Sequence, residues 1–367
     1  MARFLIDRGI WRSTRLVYLL FRRAFARTKA AGADPAANVQ RILLVRTDKI
    51  GDAIISMPVF KALRERFPKA QIDIVLGRKN GAAAALLQHL DGVFVAKKDL
   101  IEQVRLIRQL RERRYDIAID MLTGDSMTSA TYTALSGARI TIGFDGKAAG
   151  FYDIAIPRPP APEHQALQML RLIAPLGIAL NSEDVHPTVV FSESVAKTVR
   201  ERLFAEGHDS RKLVIINVSV DPARYWSDEK FIRLVGDLKS PSVRTVLIGA
   251  PWDMARLETI GKAAGVEWLE PSSDLATAAA ALSCADLVIS PDTSIVHIAA
   301  ALNKPVVTLM PYIMRIEWHP WHVPHRALHC ATRVADIPYD EVLSAVRDLM
   351  AEVGFVQQVP STDRVSS

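Results

Sequence analysis

The feature that most constrains the fold of this chain is a regular alternation of short apolar runs with longer amphipathic runs. The short runs predict buried parallel strands, and the longer runs predict the helices that connect them. The pattern occurs twice, and each occurrence predicts one doubly wound α/β unit. The predicted strands cover residues 42–45, 72–76, 93–95, 117–121 and 140–142, and then 213–218, 243–248, 266–269, 287–289 and 306–309. The predicted helices cover residues 59–67, 82–90, 100–113, 126–135 and 165–176, a helix from 194, and then 228–238, 253–263, 275–283, 294–302 and 338–350.

Length and composition agree with two such units. The chain has 367 residues, of which 49% are hydrophobic and 23% charged, so two cores can be filled. We expect a basic N-terminal arm at 1–40, Rossmann-like domains at 41–185 and 186–355, and a disordered tail at 356–367. Two α/β units in tandem imply a central cleft, with ligands bound beyond the carboxyl ends of the strands.

Several classes of site are disfavoured by the motifs that the sequence lacks. Cys284 and Cys330 are the only cysteines, so there is no disulfide framework and a reducing cytosol fits best. The loop after the first strand contains Gly51 but no Gly-x-Gly-x-x-Gly, and Gly-x-x-x-x-Gly-Lys-Ser/Thr occurs nowhere. Dehydrogenases and P-loop enzymes are therefore disfavoured, and no cofactor is expected.

The N-terminal arm carries the net charge of the chain. Residues 1–40 contain eight basic and two acidic residues, and the resulting +6 equals the net charge of the entire chain. The remainder is formally neutral, which disfavours nucleic acid as a partner. Trp11, Leu19 and Phe21 accompany these charges, and the longest uncharged run, 16–21, is too short to span a membrane. Either an amphipathic helix on an anionic membrane surface or a packing helix or disordered start would give this pattern.

The loop after the first strand places a carboxylate at a predicted helix start. Gly51 permits a tight turn, and Asp52 follows it near the positive end of the helix dipole. That position favours the ionised form, which a general base needs before it can accept a proton. An ordinary helix-capping aspartate is the alternative.

A second candidate site follows the strand at 287–289. Asp292, Thr293 and Ser294 open an alanine-rich helix, and His297 lies one turn inside it. The amide groups of such a helix start, together with its hydroxyls, can bind a phosphate. The alternative is a polar cap on a buried helix, with His297 satisfied in the interior.

These segments occur in a specific order along the chain. They are Arg41 to Arg46, Gly51-Asp52, Met57 to Leu63, Leu135 to Ala138, Ile142 to Asp145, Arg224-Tyr225-Trp226, Asp292-Thr293 with His297, and Lys304 to Val307. Together they resemble the family 9 glycosyltransferases, the ADP-heptose:lipopolysaccharide heptosyltransferases, over about residues 41 to 350. The resemblance implies a GT-B fold with the acceptor on the N-terminal domain and the nucleotide sugar on the C-terminal domain.

The resemblance also implies roles for individual residues. Asp52 matches the catalytic aspartate, Arg224 a basic residue at the donor phosphates, and Asp253 the acidic residue that holds the ribose hydroxyls. The diphosphate-binding helix start matches Asp292, Thr293, Ser294 and His297. The sequence contains no Asp-x-Asp metal motif, so we expect the transfer to be metal-independent. The resemblance implies an inverting transfer of heptose from ADP-heptose to a lipopolysaccharide core or related saccharide. Such an enzyme would work in the cytoplasm, at the inner face of the bacterial inner membrane.

Two departures from the family pattern keep alternatives open. Ser294 stands where the family usually has Gly, and its side chain could crowd the phosphate or replace an amide contact. Residues 122–129 replace the family's usual acceptor-facing segment. One alternative is an enzyme that uses another nucleotide sugar or a non-lipopolysaccharide acceptor. The other is a non-catalytic, membrane-attached ADP-sugar-binding protein.

A histidine cluster near the end of the second unit has no assigned role. It comprises His319, His322, His325 and His329, beside Cys330. Pro320 and Pro324 predict a loop crossing the cleft, and the spacing fits no zinc motif. No resident metal is expected, and surface or nucleotide-side contacts are the alternative to a metal site.

Overall fold

The computed structural model describes residues 34–97, 99–179, 181–204, 210–221, 224–311 and 316–355. The chain divides into two compact units on either side of the bond between Val190 and Phe191. The tail expected at 356–367 lies outside the described residues, as does the arm except for residues 34–40.

In the part of the chain that the structure describes, each unit contains a parallel sheet of six strands. Those of the N-terminal unit are β1 (Arg41–Arg46), β2 (Gln71–Gly77), β3 (Gly92–Ala96), β4 (Ile117–Asp120), β5 (Ile140–Phe144) and β6 (Ile154–Ile156). Those of the C-terminal unit are β7 (Lys212–Asn217), β8 (Val243–Ile248), β9 (Glu267–Trp268), β10 (Leu287–Pro291), β11 (Val306–Pro311) and β12 (His325–Cys330). The strand orders β3-β2-β1-β4-β5-β6 and β9-β8-β7-β10-β11-β12 are equivalent. Both are the doubly wound order, which reverses direction between the first and fourth strands of the sheet.

The helices follow the strands in the alternation that the sequence predicts. In the N-terminal unit they are α1 (Ile50–Ile55), α2 (Met57–Arg66), α3 (Leu100–Arg113), α4 (Met127–Leu135) and α5 (Gln165–Arg171). In the C-terminal unit they are α6 (Glu193–Leu203), α7 (Asp228–Leu238), α8 (Met254–Ala264), α9 (Leu275–Cys284), α10 (Ser294–Ala301) and α11 (Tyr339–Glu352). None of these described helices is both long and apolar enough to cross a membrane.

The core of the N-terminal unit lies on both faces of its sheet. Successive side chains of a strand point to opposite faces, and all four residues Ile42–Val45 are fully buried. Ile42 and Leu44 pack in one apolar cluster with α2, whereas Leu43 and Val45 pack in another with α3. Because both faces of β1 are buried, its sequence is continuously apolar and does not alternate with polar residues.

The structure corrects several sequence predictions. The helix predicted at 59–67 begins at Ile50 and is broken at Ser56, since Pro58 cannot donate a backbone hydrogen bond. The helix predicted at 82–90 is wrong, because a 3₁₀ turn, Gly81–Leu86, stands there and His89 has a left-handed φ of 65°. The edge strands β6 and β12 are absent from the sequence prediction, because they are partly exposed and lack long apolar runs.

Gly143 of β5 permits a close contact that a larger residue would prevent. A Cβ at this position would lie 2.4 Å from the ring of Tyr152. The Tyr152 hydroxyl in turn donates to Asp120 Oδ2 at 2.6 Å. The glycine therefore allows the ring to lie on the sheet and reach the carboxyl end of β4.

We expect Gly143→Ala to lower the free energy of unfolding by about 1–3 kcal/mol, because the ring must shift to admit the methyl group. Urea-induced unfolding measures this difference. Gly124→Ala is the matched control, since no atom lies within 4 Å of its added Cβ. Its effect should stay within about 0.5 kcal/mol. Equal losses in the two variants would contradict the steric argument.

Candidate functional site

Asp52 lies at the carboxyl edge of the N-terminal sheet, as the third residue of α1. The residue is only 4% exposed, and its Oδ2 accepts a hydrogen bond from the Lys49 backbone amide at 3.0 Å. The carboxylate therefore does stabilise the helix start. Its other oxygen, Oδ1, lies 3.8 Å from Arg46 Nη2. Helix capping therefore uses Oδ2 of Asp52, while Oδ1 lies within a cluster of charged side chains.

Arg46, the last residue of β1, is the centre of this cluster. Its side chain is fully buried, with Nη1 donating to the Met121 carbonyl just beyond β4. Nε lies 3.3 Å from both the Asp52 carbonyl and Asp48 Oδ1. The guanidinium thus bridges β1 and β4 where the strand order reverses. The sequence motifs include Arg46 without a role of its own, although a charged residue that ends an apolar strand signals such a role.

Burial raises the pKa of Asp52 to about 7, against the lowering effect of the nearby Arg46 charge. The neighbouring Asp48 carboxyl, by its charge and by a hydrogen bond, raises this pKa further. The expectation that the helix start favours the ionised form describes one contribution, which burial outweighs. A carboxyl with a pKa close to neutral can accept a proton and release it again under physiological conditions.

The loop that carries Asp48 is fixed by contacts with β2. Asn80 Nδ2 donates to the Arg46 carbonyl at 2.8 Å, and Asn80 Oδ1 accepts from the Gly77 amide at 2.6 Å. A Cβ on Gly77 would lie 2.3 Å from the Thr47 carbonyl oxygen, so this close approach requires glycine. The loop that carries Asp48 and leads to Asp52 is therefore positioned by the backbone at the ends of β1 and β2.

Asp120, at the end of β4, forms a second buried carboxyl site. Its oxygens accept hydrogen bonds from Tyr152, from Ser129 Oγ at 2.8 Å and from the Leu122 amide at 3.1 Å. Burial raises its pKa to about 6, and these donors lower it. They hold the segment 122–129, expected to face the acceptor, against the end of the sheet.

In the C-terminal unit, the structure brings Arg224 into contact with Asp292. Arg224 Nη1 lies 2.7 Å from Asp292 Oδ2, and the Arg224 side chain remains 30% exposed. Thr293 caps α10, with its hydroxyl accepting from the Ile295 amide at 3.3 Å. A guanidinium beside a helix start provides donors for an anion such as a diphosphate.

Asn217 connects the strands on which this second site is built. It is the last residue of β7, and its Nδ2 donates to Ser290 Oγ at 3.0 Å, to Thr293 Oγ1 at 3.2 Å and to the Ser219 carbonyl at 3.1 Å. Ser290 is fully buried within β10. Asn217 is absent from the site residues predicted from the sequence, and its signal is a polar group at the end of an apolar strand.

The other residues predicted to bind the nucleotide sugar occupy the same edge of the C-terminal sheet. Asp253 follows β8 and is 5% exposed, with Oδ2 accepting from the Ala250 amide at 3.4 Å. Ser294 is half-buried at the first position of α10, and His297 is buried one turn further. The described contacts join Arg224 to Asp292 and Asn217 to Thr293, whereas Asp253 contacts its own loop.

Two other segments singled out by sequence have structural positions. Trp226 is fully buried and donates from Nε1 to the Ile337 carbonyl at 3.1 Å, so it belongs to the core. The predicted histidine loop is wrong for His325, His329 and Cys330, which lie on β12. His319 Nε2 lies 3.0 Å from His329 Nε2, and burial lowers the pKa of His319 to about 4. Among the described residues, no group of three or more potential metal ligands is arranged to hold an ion.

A comparison with known families agrees with this fold. The model of glycosyltransferase family 9 (heptosyltransferase) matches residues 103–335, which is more than half of the chain. The chain belongs to glycosyltransferase family 9. Membership makes this chain a glycosyltransferase, and the enzyme class expected from the sequence motifs is confirmed.

Curated relatives of this family 9 glycosyltransferase match along most of their length. Lipopolysaccharide heptosyltransferase 3 of Escherichia coli K12 is 26% identical over 348 residues, which cover 86% of this chain and 98% of the relative. Lipopolysaccharide heptosyltransferase 2 of the same organism is 22% identical, with 73% of this chain and 82% of the relative covered.

Solved structures of the family show the same fold. A family 9 glycosyl transferase from Veillonella parvula has a TM-score of 0.72 and 20% identity, covering 87% of this chain and 99% of its own. The E. coli heptosyltransferase WaaC with ADP has a TM-score of 0.67 and 19% identity, covering 86% and 100%. The predicted GT-B architecture, with two Rossmann-like domains, is confirmed.

We expect Asp48→Asn to lower the pKa of Asp52 from about 7, because the change removes a neighbouring negative charge. Carbon-13 NMR titration of the Asp52 carboxyl measures this value directly. Asp99→Asn, at the exposed start of α3, is the control and should leave the titration unchanged. An unchanged or higher Asp52 pKa in Asp48→Asn would contradict the coupling of the two carboxyl groups.

Proposed function

We propose that this family 9 glycosyltransferase transfers a heptose from ADP-heptose to a saccharide acceptor of the lipopolysaccharide core type, with inversion at the anomeric carbon. The observation that carries the proposal is the buried Asp52 carboxyl at the carboxyl edge of the N-terminal sheet, with its pKa near 7. The heptosyltransferase relatives support the sugar, and the WaaC structure with ADP supports the nucleotide.

In the proposed reaction, Asp52 acts as the general base. Its carboxylate accepts the proton of an acceptor hydroxyl while that oxygen attacks the anomeric carbon of the donor. The new glycosidic bond forms as the bond from the anomeric carbon to the β-phosphate oxygen breaks, and ADP carries away the bonding electrons. One displacement at one carbon inverts its configuration.

The C-terminal domain stabilises the departing ADP in this proposal. Arg224 is already paired with Asp292 at 2.7 Å, so the phosphate oxygens would compete with that carboxylate for the guanidinium. The amides at the start of α10 and the Thr293 hydroxyl would add neutral donors. We propose that these groups stabilise the leaving diphosphate without a resident metal, in keeping with the absence of an Asp-x-Asp sequence.

Asp253, Ser294 and His297 complete the proposed donor site. Asp253 would accept hydrogen bonds from the ribose hydroxyls, while Ser294 and His297 would contact the diphosphate. The basic arm at 1–40, outside the described residues except for 34–40, would bind an anionic membrane surface on the cytoplasmic side, where a lipid-linked acceptor is held.

We expect Asp52→Asn to lower kcat by about 10²–10⁴-fold with little change in ADP affinity, because it removes only the proton acceptor. Initial rates with ADP-heptose and a truncated lipopolysaccharide acceptor, read by mass spectrometry, measure the loss. Asp73→Asn is the matched control, a fully buried carboxyl near the amino end of β2 that accepts from Tyr115. A comparable loss in both variants would indicate general destabilisation and would remove Asp52 from the proposed role.

We expect ADP to stabilise the protein by about 2.7 kcal/mol at a hundredfold excess over its Kd, with or without a chelator, and UDP or GDP at the same concentration to stabilise it less. Arg224→Ala should weaken ADP binding by about tenfold or more, since it removes a charged hydrogen-bond donor. Thermal unfolding measures the stabilisation by each nucleotide, and calorimetric titration measures the ADP affinity of the Arg224→Ala variant. Arg333→Ala is the control, since it breaks a similar pair with Asp336 on an exposed turn. Equal stabilisation by the three nucleotides, or a strict metal requirement, would overturn the donor assignment.

A further inference from the structure

The exposed apolar residues of this protein are concentrated in one short segment. Among the described residues, eight large hydrophobic side chains are exposed, and five of them lie between Val93 and Val104. Leu100, Ile101 and Val104 of α3 are 72%, 62% and 60% exposed. We call these three residues the α3 surface. Clustered exposure of this kind marks a binding surface, whereas scattered exposure needs no explanation.

Helix α3 has two apolar faces. Leu106 and Leu110 are buried against the sheet in the core cluster that contains Leu43 and Val45. At about 100° per residue, the α3 surface falls within one sector on roughly the opposite side of the helix. One apolar face of α3 is therefore buried against the sheet, whereas the α3 surface is exposed to water and is available to a partner.

The α3 surface is surrounded by positive charge. Residues 97–114 contain seven basic and three acidic residues. Lys97, Arg105 and Arg108 are 66%, 67% and 83% exposed at their side chains. Glu102 pairs with both Lys97 and Arg105 but is itself only 32% exposed. Apolar side chains among exposed cations are suited to the interface of a membrane with anionic headgroups.

The position of the α3 surface in the fold relates it to the proposed reaction. The strands are parallel, so α3 leaves β3 at the same edge of the sheet at which Asp52 follows β1. Only β2 separates these two strands, a lateral distance of about 10 Å. A membrane in contact with α3 would therefore lie near the edge that bears the general base.

We propose that the α3 surface inserts into the headgroup region of an anionic bilayer, with Leu100, Ile101 and Val104 among the acyl chains and Lys97, Arg105 and Arg108 at lipid phosphates. The proposal rests on the proposed function only in that the acceptor is lipid-linked. The N-terminal arm and the α3 surface of a second copy are less suitable occupants, because each would bring further positive charge against a positive surface.

A site-specific probe tests this contact apart from the arm. In the full chain with Cys284→Ser and Cys330→Ser, Ile101→Cys carries an environment-sensitive NBD label. Vesicles of phosphatidylethanolamine with 30% phosphatidylglycerol should increase its emission severalfold and shift it to the blue, and doxyl lipids should quench it. Val190→Cys, at an exposed apolar position of the same unit, should not respond. The same label at Trp11→Cys reports insertion of the arm separately.

A double variant tests the energetic contribution of the surface. Ile101→Asp with Val104→Asp should reduce binding to these vesicles by fivefold or more, whereas Ile101→Val with Val104→Ile should bind normally. Transfer to a soluble acceptor fragment should be unchanged in both variants, so a failed membrane contact is distinguished from a failed proposed function. A label at 101 that stays in water with vesicles overturns the proposal. So does a label at 101 that is already buried without vesicles, through the arm or through self-association.

Discussion

In each domain, one polar side chain at the end of the first strand connects that strand to the end of a neighbouring strand and to the loop that follows it. In the N-terminal domain this side chain is Arg46, fully buried and bonded to the Met121 carbonyl beyond β4. In the C-terminal domain it is Asn217, which joins β7 to Ser290 and Thr293. Burial of such groups is costly without partners, so the loops must supply acceptors in fixed positions. The geometry of both sites follows from this requirement.

The groups that surround this side chain differ in charge between the two domains. Around Arg46 the partners are the carboxyl groups of Asp48 and Asp52, and together with burial their proximity raises the pKa of Asp52 to about 7. Around Asn217 the partners are hydroxyls and the start of α10, with Arg224 close by through Asp292. The first arrangement is suited to proton acceptance and the second to holding an anion. Two copies of one topology thus provide different chemistry through the residues that follow each strand.

The sequence predicted most elements because their burial follows a regular pattern, continuous in the central strands and periodic in the helices. α3 and α7 match their predicted ranges, since their apolar periodicity and caps are both strong. The edge strands β6 and β12 were missed because β6 is only three residues long and β12 contains the polar residues His325, Arg326 and His329. The alanine-rich segment after β2 was predicted as a helix but forms a 3₁₀ turn, since the chain must return to β3. Local composition does not contain that tertiary requirement.

The sequence by itself determined the two Rossmann-like domains, the family motifs and the positions of Asp52, Arg224 and Asp292 after strands. Each of these follows from local periodicity or from residue order along the chain. Only the tertiary structure decided that Arg46 lies between Asp48 and Asp52, that Asn217 reaches Thr293, and that one face of α3 stays in water. Contacts between residues far apart in sequence, and the burial that shifts a pKa, depend on which strands become neighbours. That information arises only when the sheet is assembled.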